Sequence, residues 1–195
     1  MKVVIVGGGA GGISTASNIR KINDEIEITV ITRDDKVAYS PCAIPYVLSG
    51  KIESFDDIIM RTPEDYKEKN IDVIVNAEVT AVDSSKKTVT YVLDGNETVM
   101  DYDKLVLATG GNPFVPPMDG VDLDGVFRIR NIEDGKRVQE AMKDAKSAIV
   151  TGAGLIGIEI AYALKEQGLN VILSEMLPQI VPRSLDKDMS DILMV

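Results

Sequence analysis

Short apolar runs punctuate this chain, and between them the pattern shifts from helical to alternating. Val3–Val6 is continuously apolar, the signature of a strand buried on both faces. Ile13–Lys21 then reads as a helix. Ile26–Ile31 reads as a second strand, alternating at its start and wholly apolar at its end. Together these make a βαβ unit of mononucleotide-binding length. Thr62-Pro63-Glu64 looks like an N-cap followed by proline at the first helical position, so a short helix is expected through Lys69. From Ile71 to Met100 the texture changes. Ile71–Val75, Thr80–Val82, Thr88–Leu93 and Thr98–Met100 are short β-type segments with turns at 84–87 and 94–96. They predict a small antiparallel meander inserted in the α/β domain. Leu105–Ala108 returns as an apolar strand and is stopped by Thr109-Gly110-Gly111-Asn112-Pro113. After an extended stretch, Ile132–Lys143 is expected to be helical. A second unit then starts near Ser147, with a strand through Val150, a helix from Leu155 to Gln167 closed by Gly168, and a strand at Val171–Ser174. Another helix is expected after Pro182.

The two apolar strands that open these units each run into a glycine loop. Gly7-Gly8-Gly9-Ala10-Gly11-Gly12 fits G-x-G-x-x-G through Gly7, Gly9 and Gly12, and Gly152-Ala153-Gly154-Leu155-Ile156-Gly157 fits through Gly152, Gly154 and Gly157. The first glycine permits the strand-to-helix turn, the second lets backbone approach a pyrophosphate, and the third lets helix and strand pack closely. The helix N-terminus then meets the anion. A single such motif also describes a glycine turn without a ligand; two in strand–loop–helix context point to two dinucleotides. The residue ending each second strand should hold the adenosine ribose. Glu175 stands there in the second unit; its carboxylate suits the ribose hydroxyls of NADH and repels the 2′-phosphate of NADPH. In the first unit the place belongs to Thr32, followed by Arg33 and Asp34.

Composition narrows the chemistry. The chain has 195 residues, a formal net charge of −10 and no histidine. The acidic balance argues against nucleic acid as a partner. No apolar stretch approaches the length of a membrane span, and Val3–Val6 is too short for a signal sequence, so a cytoplasmic location is expected. Lack of histidine removes Ser-His-Asp and Cys-His catalysis and histidine-ligated metal sites; no metal is expected. Cys42 is the only cysteine, so no intrachain disulfide forms. Free cysteines are commonly small buried hydrophobes. Cys42 instead follows Pro41 where a helix is expected to start, and a helix N-terminus favours the thiolate. That makes it the candidate catalytic residue.

The glycine loop at the N-terminus, Tyr39-Ser40-Pro41-Cys42-Ala43-Ile44-Pro45-Tyr46, Leu105-Val106-Leu107-Ala108-Thr109-Gly110 and Gly152-Ala153-Gly154-Leu155-Ile156-Gly157-Ile158-Glu159 occur in that order. Together they resemble the flavin-dependent pyridine nucleotide–disulfide oxidoreductases, most closely the single-cysteine branch of NADH oxidases and coenzyme A–disulfide reductases. The resemblance implies an α/β fold: a Rossmann-like FAD-binding domain with the meander over 1–112, a connector over 113–146, and the start of a Rossmann-like NAD-binding domain over 147–195. It implies that Gly7, Gly8, Gly9, Ala10, Gly11 and Gly12 bind the FAD pyrophosphate, with Thr32 and Arg33 near the adenosine. Val79 would touch the adenine side through its backbone, and Ala108, Thr109 and Gly110 would close over the flavin nucleotide. Gly152, Gly154, Leu155, Ile156, Gly157 and Glu175 would bind NADH, with Glu159 near the nicotinamide; a solvated helix residue is the other reading of Glu159. It further implies that electrons pass from NADH through flavin to Cys42 and a small disulfide such as coenzyme A disulfide, or to oxygen, in a homodimer or higher oligomer. A nucleotide-binding module without turnover is the reading from another class. Absence of a second cysteine excludes the two-cysteine reductases. Ala10 stands where peroxide-handling members carry histidine, which favours the disulfide side. Ser14, Asn18 and Lys21 lie where coenzyme A contacts would fall, and they equally suit an ordinary helix surface. Family members are longer chains, so bare apolar surface is expected where further elements pack.

Overall fold

The structure, a computed structural model, describes residues 1–193. In chain order the elements are β1 (Lys2–Val6), α1 (Ala10–Ile22), β2 (Glu27–Ile31), a 3-10 turn at Pro41–Ala43, α2 (Ile44–Leu48), a 3-10 turn at Asp56–Ile58, α3 (Pro63–Lys67), β3 (Ile71–Ile74), β4 (Ala77–Asp83), β5 (Thr88–Leu93), β6 (Asn96–Asp101) and β7 (Lys104–Leu107). Then follow α4 (Ile132–Met142), β8 (Ser147–Thr151), α5 (Leu155–Glu166), β9 (Asn170–Ser174) and α6 (Lys187–Leu193). Among the described residues no helix is long and apolar enough to cross a membrane. The chain divides into two compact units: Met1–Ser40 with Ile58–Asn112, and Pro41–Asp57 with the chain from Pro113 onward.

Unit one is built on a parallel sheet in the order β3-β2-β1-β7. β1 is central, with Val3 paired to Ile28 and Val6 to both Ile31 and Leu107. Its continuous apolar run is explained by burial on both sides. Val3 and Ile5 pack with Ile13, Ala16, Ile28 and Ile71 on the side of α1, and Val4 packs with Ile31, Ala77, Val89 and Tyr91 on the side of the meander. Alternate residues of one strand thus serve two cores. The meander β4-β5-β6 is antiparallel. Asp94 and Gly95, both at positive φ, make the tight β5–β6 turn.

One strand differs from the expectation. Ile71–Ile74 does not join the meander; it is the parallel edge strand β3, with Ile71 opposite Ile28 and Ile74 opposite Ile31. The alternation of Ile71, Asp72 and Val73 resembles a half-exposed antiparallel strand, which an edge strand also is. Its independence is marked by Asn70, immediately before it, and Asn76, immediately before β4, both in the left-handed region, which turn the chain on either side of it. The helix before it also ends early, at Lys67 rather than Lys69.

Unit two carries a parallel pair, β8 and β9, joined by α5, with Ser147 opposite Asn170 and Thr151 opposite Ser174. The helix α4 begins on a capping box in which the Asn131 side chain accepts from the Asp134 N–H and Asp134 reaches back to the Asn131 N–H. The cysteine segment belongs to this unit: Ile44, Pro45, Val47 and Leu48 of α2 are buried, and α2 packs against α4 and α5. Gly135 of α4 makes room for Phe55, whose ring would lie 2.6 Å from a Cβ placed there. One face of the β8–β9 pair is bare. The register partners Ile149 and Ile172 are 70% and 62% exposed. This matches the expectation of apolar surface left uncovered.

Candidate dinucleotide sites

The two glycine loops repeat one backbone design. At the first, the Gly7 N–H donates to Ile31 O (2.8 Å) and the Ile13 N–H to Gly9 O (3.0 Å); at the second, the Gly152 N–H donates to Ser174 O (2.7 Å) and the Ile158 N–H to Gly154 O (3.0 Å). Gly7 and Gly152 both have positive φ, +114° and +98°. The N-cap residues Gly9 and Gly154 differ by only a few degrees, with φ/ψ of −75°/−173° and −77°/−177°.

The glycines divide by what surrounds them. A Cβ on Gly12 would meet Gly7 O at 1.8 Å, and one on Gly157 would meet Gly152 O at 1.8 Å. A Cβ on Gly7 would meet Ala108 O at 2.2 Å, so the end of β7 is laid directly on the loop. By contrast, Gly9, Gly152 and Gly154 face open space, with nothing within 4 Å of a Cβ. That space lies at helix ends that no side chain caps and whose first turns carry no acid. The helices α3 and α4 instead begin on capping boxes with acids in the first turn. The N–H groups at the start of α1 and α5 are therefore available to an anion. A dinucleotide pyrophosphate fits both loops on this ground.

The strand ends set the two loops apart. Thr32 is 5% exposed; its methyl would touch a Cβ on Gly8 at 2.9 Å, and its hydroxyl accepts weakly from the Asp34 N–H at 3.4 Å. Its place is behind the loop. Arg33 is exposed and donates to Asn112 Oδ1 (3.2 Å). Val79 pairs with Tyr91 directly before a register shift in β4, the kind of irregularity that re-aims backbone groups. Ala108, which donates to Val6 O, is followed by exposed Thr109 and by Gly110 at positive φ.

Glu175 is half-buried, and its two oxygens reach different backbone groups. Oε2 accepts from the Ala153 N–H (2.8 Å) inside the second loop, and Oε1 from the Leu177 N–H (3.0 Å). The Val181 N–H donates to Ala153 O (2.8 Å), so Ala153, fully buried, is held at both ends of its peptide groups. The Leu177 and Ala153 N–H groups keep the Glu175 carboxyl below its ordinary range against a smaller opposing effect of burial. A depressed folded value means that the brace is fully present above the ordinary carboxylate range and is lost as pH falls through the folded value. Protection factors at Ala153 and Leu177, the intrinsic exchange rate divided by the observed rate at the same pH, are therefore expected to fall on acidification in the native protein, and to lose that acid-dependent step in Glu175→Gln. Equal acid sensitivity in the two proteins would refute the brace.

Glu159, Leu155 and Ile156 are exposed at the start of α5. Cys42 is exposed in the Pro41–Ala43 turn, ahead of the helix expected to begin at it; α2 starts at Ile44. Three features escaped sequence reasoning: the hold of Glu175 on Ala153, the Val181 contact, and the attachment of α2 to α5. Only the first had a signal, an acid at the end of β9.

The sequence matches the family described as pyridine nucleotide-disulphide oxidoreductase over residues 1–195. A protein named NADH oxidase from Methanocaldococcus jannaschii is 55% identical over 196 residues, covering 98% of this chain and 44% of that protein. An NAD(P)H coenzyme A polysulfide/persulfide reductase from Pyrococcus horikoshii is 38% identical, with 98% and 43% covered. Among solved structures, an NAD-dependent persulfide reductase from A. fulgidus superposes with a TM-score of 0.97 at 36% identity, covering 100% of this chain and 37% of that one. The chain thus spans less than half the length of these relatives. Its paired loops, its sheet order and its match from first residue to last make it a member of the pyridine nucleotide-disulphide oxidoreductase family.

Proposed function

We propose that this chain is the nucleotide-binding portion of an FAD-dependent NADH oxidoreductase that uses Cys42 to reduce a small disulfide such as coenzyme A disulfide. The observation that carries the reading is the pair of glycine loops, each opening on an uncapped helix with space beside its middle glycine. The first glycine loop would hold FAD, which would supply the hydride acceptance and electron transfer between NADH and sulfur that no side chain of this chain provides. The residues of the chain then have separate tasks. Gly9, Ala10 and Gly11 present N–H groups to the FAD pyrophosphate. Gly8 seats the loop on Thr32, and Arg33 lies at the adenosine with Val79. Ala108, Thr109 and Gly110 close the nucleotide from the β7 side. Gly152 and Gly154 receive the NADH pyrophosphate, Leu155 and Ile156 flank it, Gly157 keeps α5 against β8, and Glu159 lies toward the nicotinamide. Each Glu175 oxygen keeps a lone pair free of its backbone partner for a ribose hydroxyl. Cys42, in its exposed turn, would supply the thiolate that attacks one disulfide sulfur, breaking the S–S bond, releasing one substrate thiolate and leaving a mixed disulfide. Two electrons from NADH would then break that bond, release the second thiolate and return Cys42 to its thiolate.

In this reading the FAD-binding domain covers 1–112, the connector 113–146 and the NADH-binding domain 147–195, although residues 41–57 and α4 pack in the compact unit of the second loop. The protein is then cytoplasmic, and its whole form is a homodimer or larger. A second reading, reduction of oxygen, is favoured by the relative named NADH oxidase at 55% identity.

Titration of the chain with FAD and NADH tests the assignment of the two loops. Independent saturation by one equivalent of each supports it; competition of both nucleotides for one site refutes it. Glu175→Ala is expected to weaken NADH about 10- to 100-fold through lost charged hydrogen bonds, with FAD affinity unchanged. NADH fluorescence reads the first, and flavin fluorescence the second.

A further inference from the structure

The turn that carries Cys42 is built into the same unit as the second glycine loop, and it is fastened there by side chains with no role in either site. Ala43 is the N-cap of α2, so the thiol-bearing turn continues into that helix without a linker. The far end of α2 is tied to the far end of α5. The Gln167 side-chain amide, at the C-cap of α5, donates to Ser49 O at 2.7 Å, at the C-cap of α2. Gly50 follows at positive φ, and a Cβ there would lie 3.1 Å from that amide nitrogen, so its bareness admits the contact. One residue on, the Lys51 ammonium lies 4.6 Å from the centroid of the Tyr162 ring on α5. The N-cap of α5 is Gly154 of the second loop. One short helical rod therefore runs from a nucleotide loop to the fastening of the cysteine segment.

We propose that Lys51, Tyr162 and Gln167 are positioning residues that couple the second glycine loop to the Cys42 turn, so that a nucleotide seated on the loop alters the reactivity of the thiol. The inference rests on the proposed assignment of NADH to that loop and of sulfur chemistry to Cys42. Its physical basis is the packing of α2 on α5 and two specific contacts that join the far ends of these helices, one of which begins at the loop and the other at the thiol turn. Reciprocity applies to the equilibrium part of such coupling: if NADH shifts the conformational equilibrium of the turn, a change in that equilibrium shifts NADH affinity by the same factor, while the alkylation rate is a one-way readout of it.

Because Cys42 is the sole cysteine, alkylation by iodoacetamide followed by mass reports on it alone. The rate is measured on the full chain with and without NADH, and NADH fluorescence in the same samples confirms binding. Saturating NADH is expected to change the rate at least about fivefold. The Lys51→Met, Gln167→Ala double variant is expected to bind NADH, which shows it folded, and to lose the rate change. Lys51→Arg with native Gln167, which keeps a cation over the ring and the Gln167 contact, is expected to retain the rate change. The Tyr162→Leu, Gln167→Ala double variant, which removes the same two contacts from the α5 side, is expected to lose it. A rate indifferent to bound NADH overturns the coupling, as does a rate change that persists in either double variant, since that reports direct shielding. Failure of NADH to bind the native chain overturns the proposed function and the coupling with it.

Discussion

Gly12→Ala is expected to unfold unit one, whereas Gly9→Ala is expected to leave it folded and deprive it of flavin. The added methyl at Gly12 would stand 1.8 Å from Gly7 O and 3.3 Å from the Ile5 side chain. The near atom is backbone, fixed by the Gly7 N–H bond to Ile31 O, so no rotamer change relieves the contact. The helix α1 would have to lift off β1, opening the cluster of Val3, Ile5, Ile13 and Ala16. A loss of about 3 kcal/mol or more follows, at the upper end of overpacking costs. Gly9 is the opposite case. Its φ of −75° suits any residue, and nothing lies within 4 Å of a Cβ. Alanine there costs less than about 1 kcal/mol as a poorer N-cap. Its methyl projects where a pyrophosphate would approach, and loss of one or two charged hydrogen bonds lowers FAD affinity about 10- to 100-fold or more. Urea denaturation separates the two variants in stability, and quenching of flavin fluorescence separates them in binding. Native FAD affinity in Gly9→Ala would remove the first loop from the site.

Cys42→Ser is expected to abolish disulfide reduction in the FAD-loaded enzyme, by about three orders of magnitude or more, while both nucleotides still bind. A serine hydroxyl does not ionise near neutrality and has no disulfide-forming chemistry, so the mixed disulfide with the substrate cannot form. Exposure of the Pro41–Ala43 turn means the substitution removes a reacting atom and little packing. Turnover with NADH and coenzyme A disulfide measures the loss. Oxygen uptake by the same variant divides the two readings of function. If uptake stops, a cysteine-based oxidase cycling through sulfenic acid replaces the disulfide mechanism. If uptake continues and disulfide turnover ends, the thiol serves disulfides. Continued disulfide turnover in Cys42→Ser removes Cys42 from the reaction.

The parts of this fold that were legible in the sequence are those where one constraint leaves few residue choices. β1 must be apolar throughout because it feeds two cores, and the glycines must be glycine because Gly7 and Gly12 abut backbone. The Thr62 cap and the Asp94-Gly95 turn announce themselves by the same logic. β3 was misread because an edge strand of a parallel sheet and a meander strand share one alternation; the paired asparagines at positive φ were the overlooked sign. The burial of Thr32 was illegible, since a threonine can turn its methyl or its hydroxyl toward a ligand and only packing decides. Lys51 and Tyr162 are ordinary surface residues in sequence, and only the folded α2 and α5 bring them together.

The duplication of the loop has a consequence for selectivity. FAD and NADH share an ADP half, and the two cradles that would receive it have nearly the same backbone torsions at their N-caps. If both loops take that half, the phosphates would scarcely discriminate, and selectivity would fall to the strand ends, where the first loop offers a buried threonine and the second a carboxylate braced against the loop. ADP alone is in that case a competitor for both cradles, and the ratio of its two affinities isolates what Glu175 adds over Thr32.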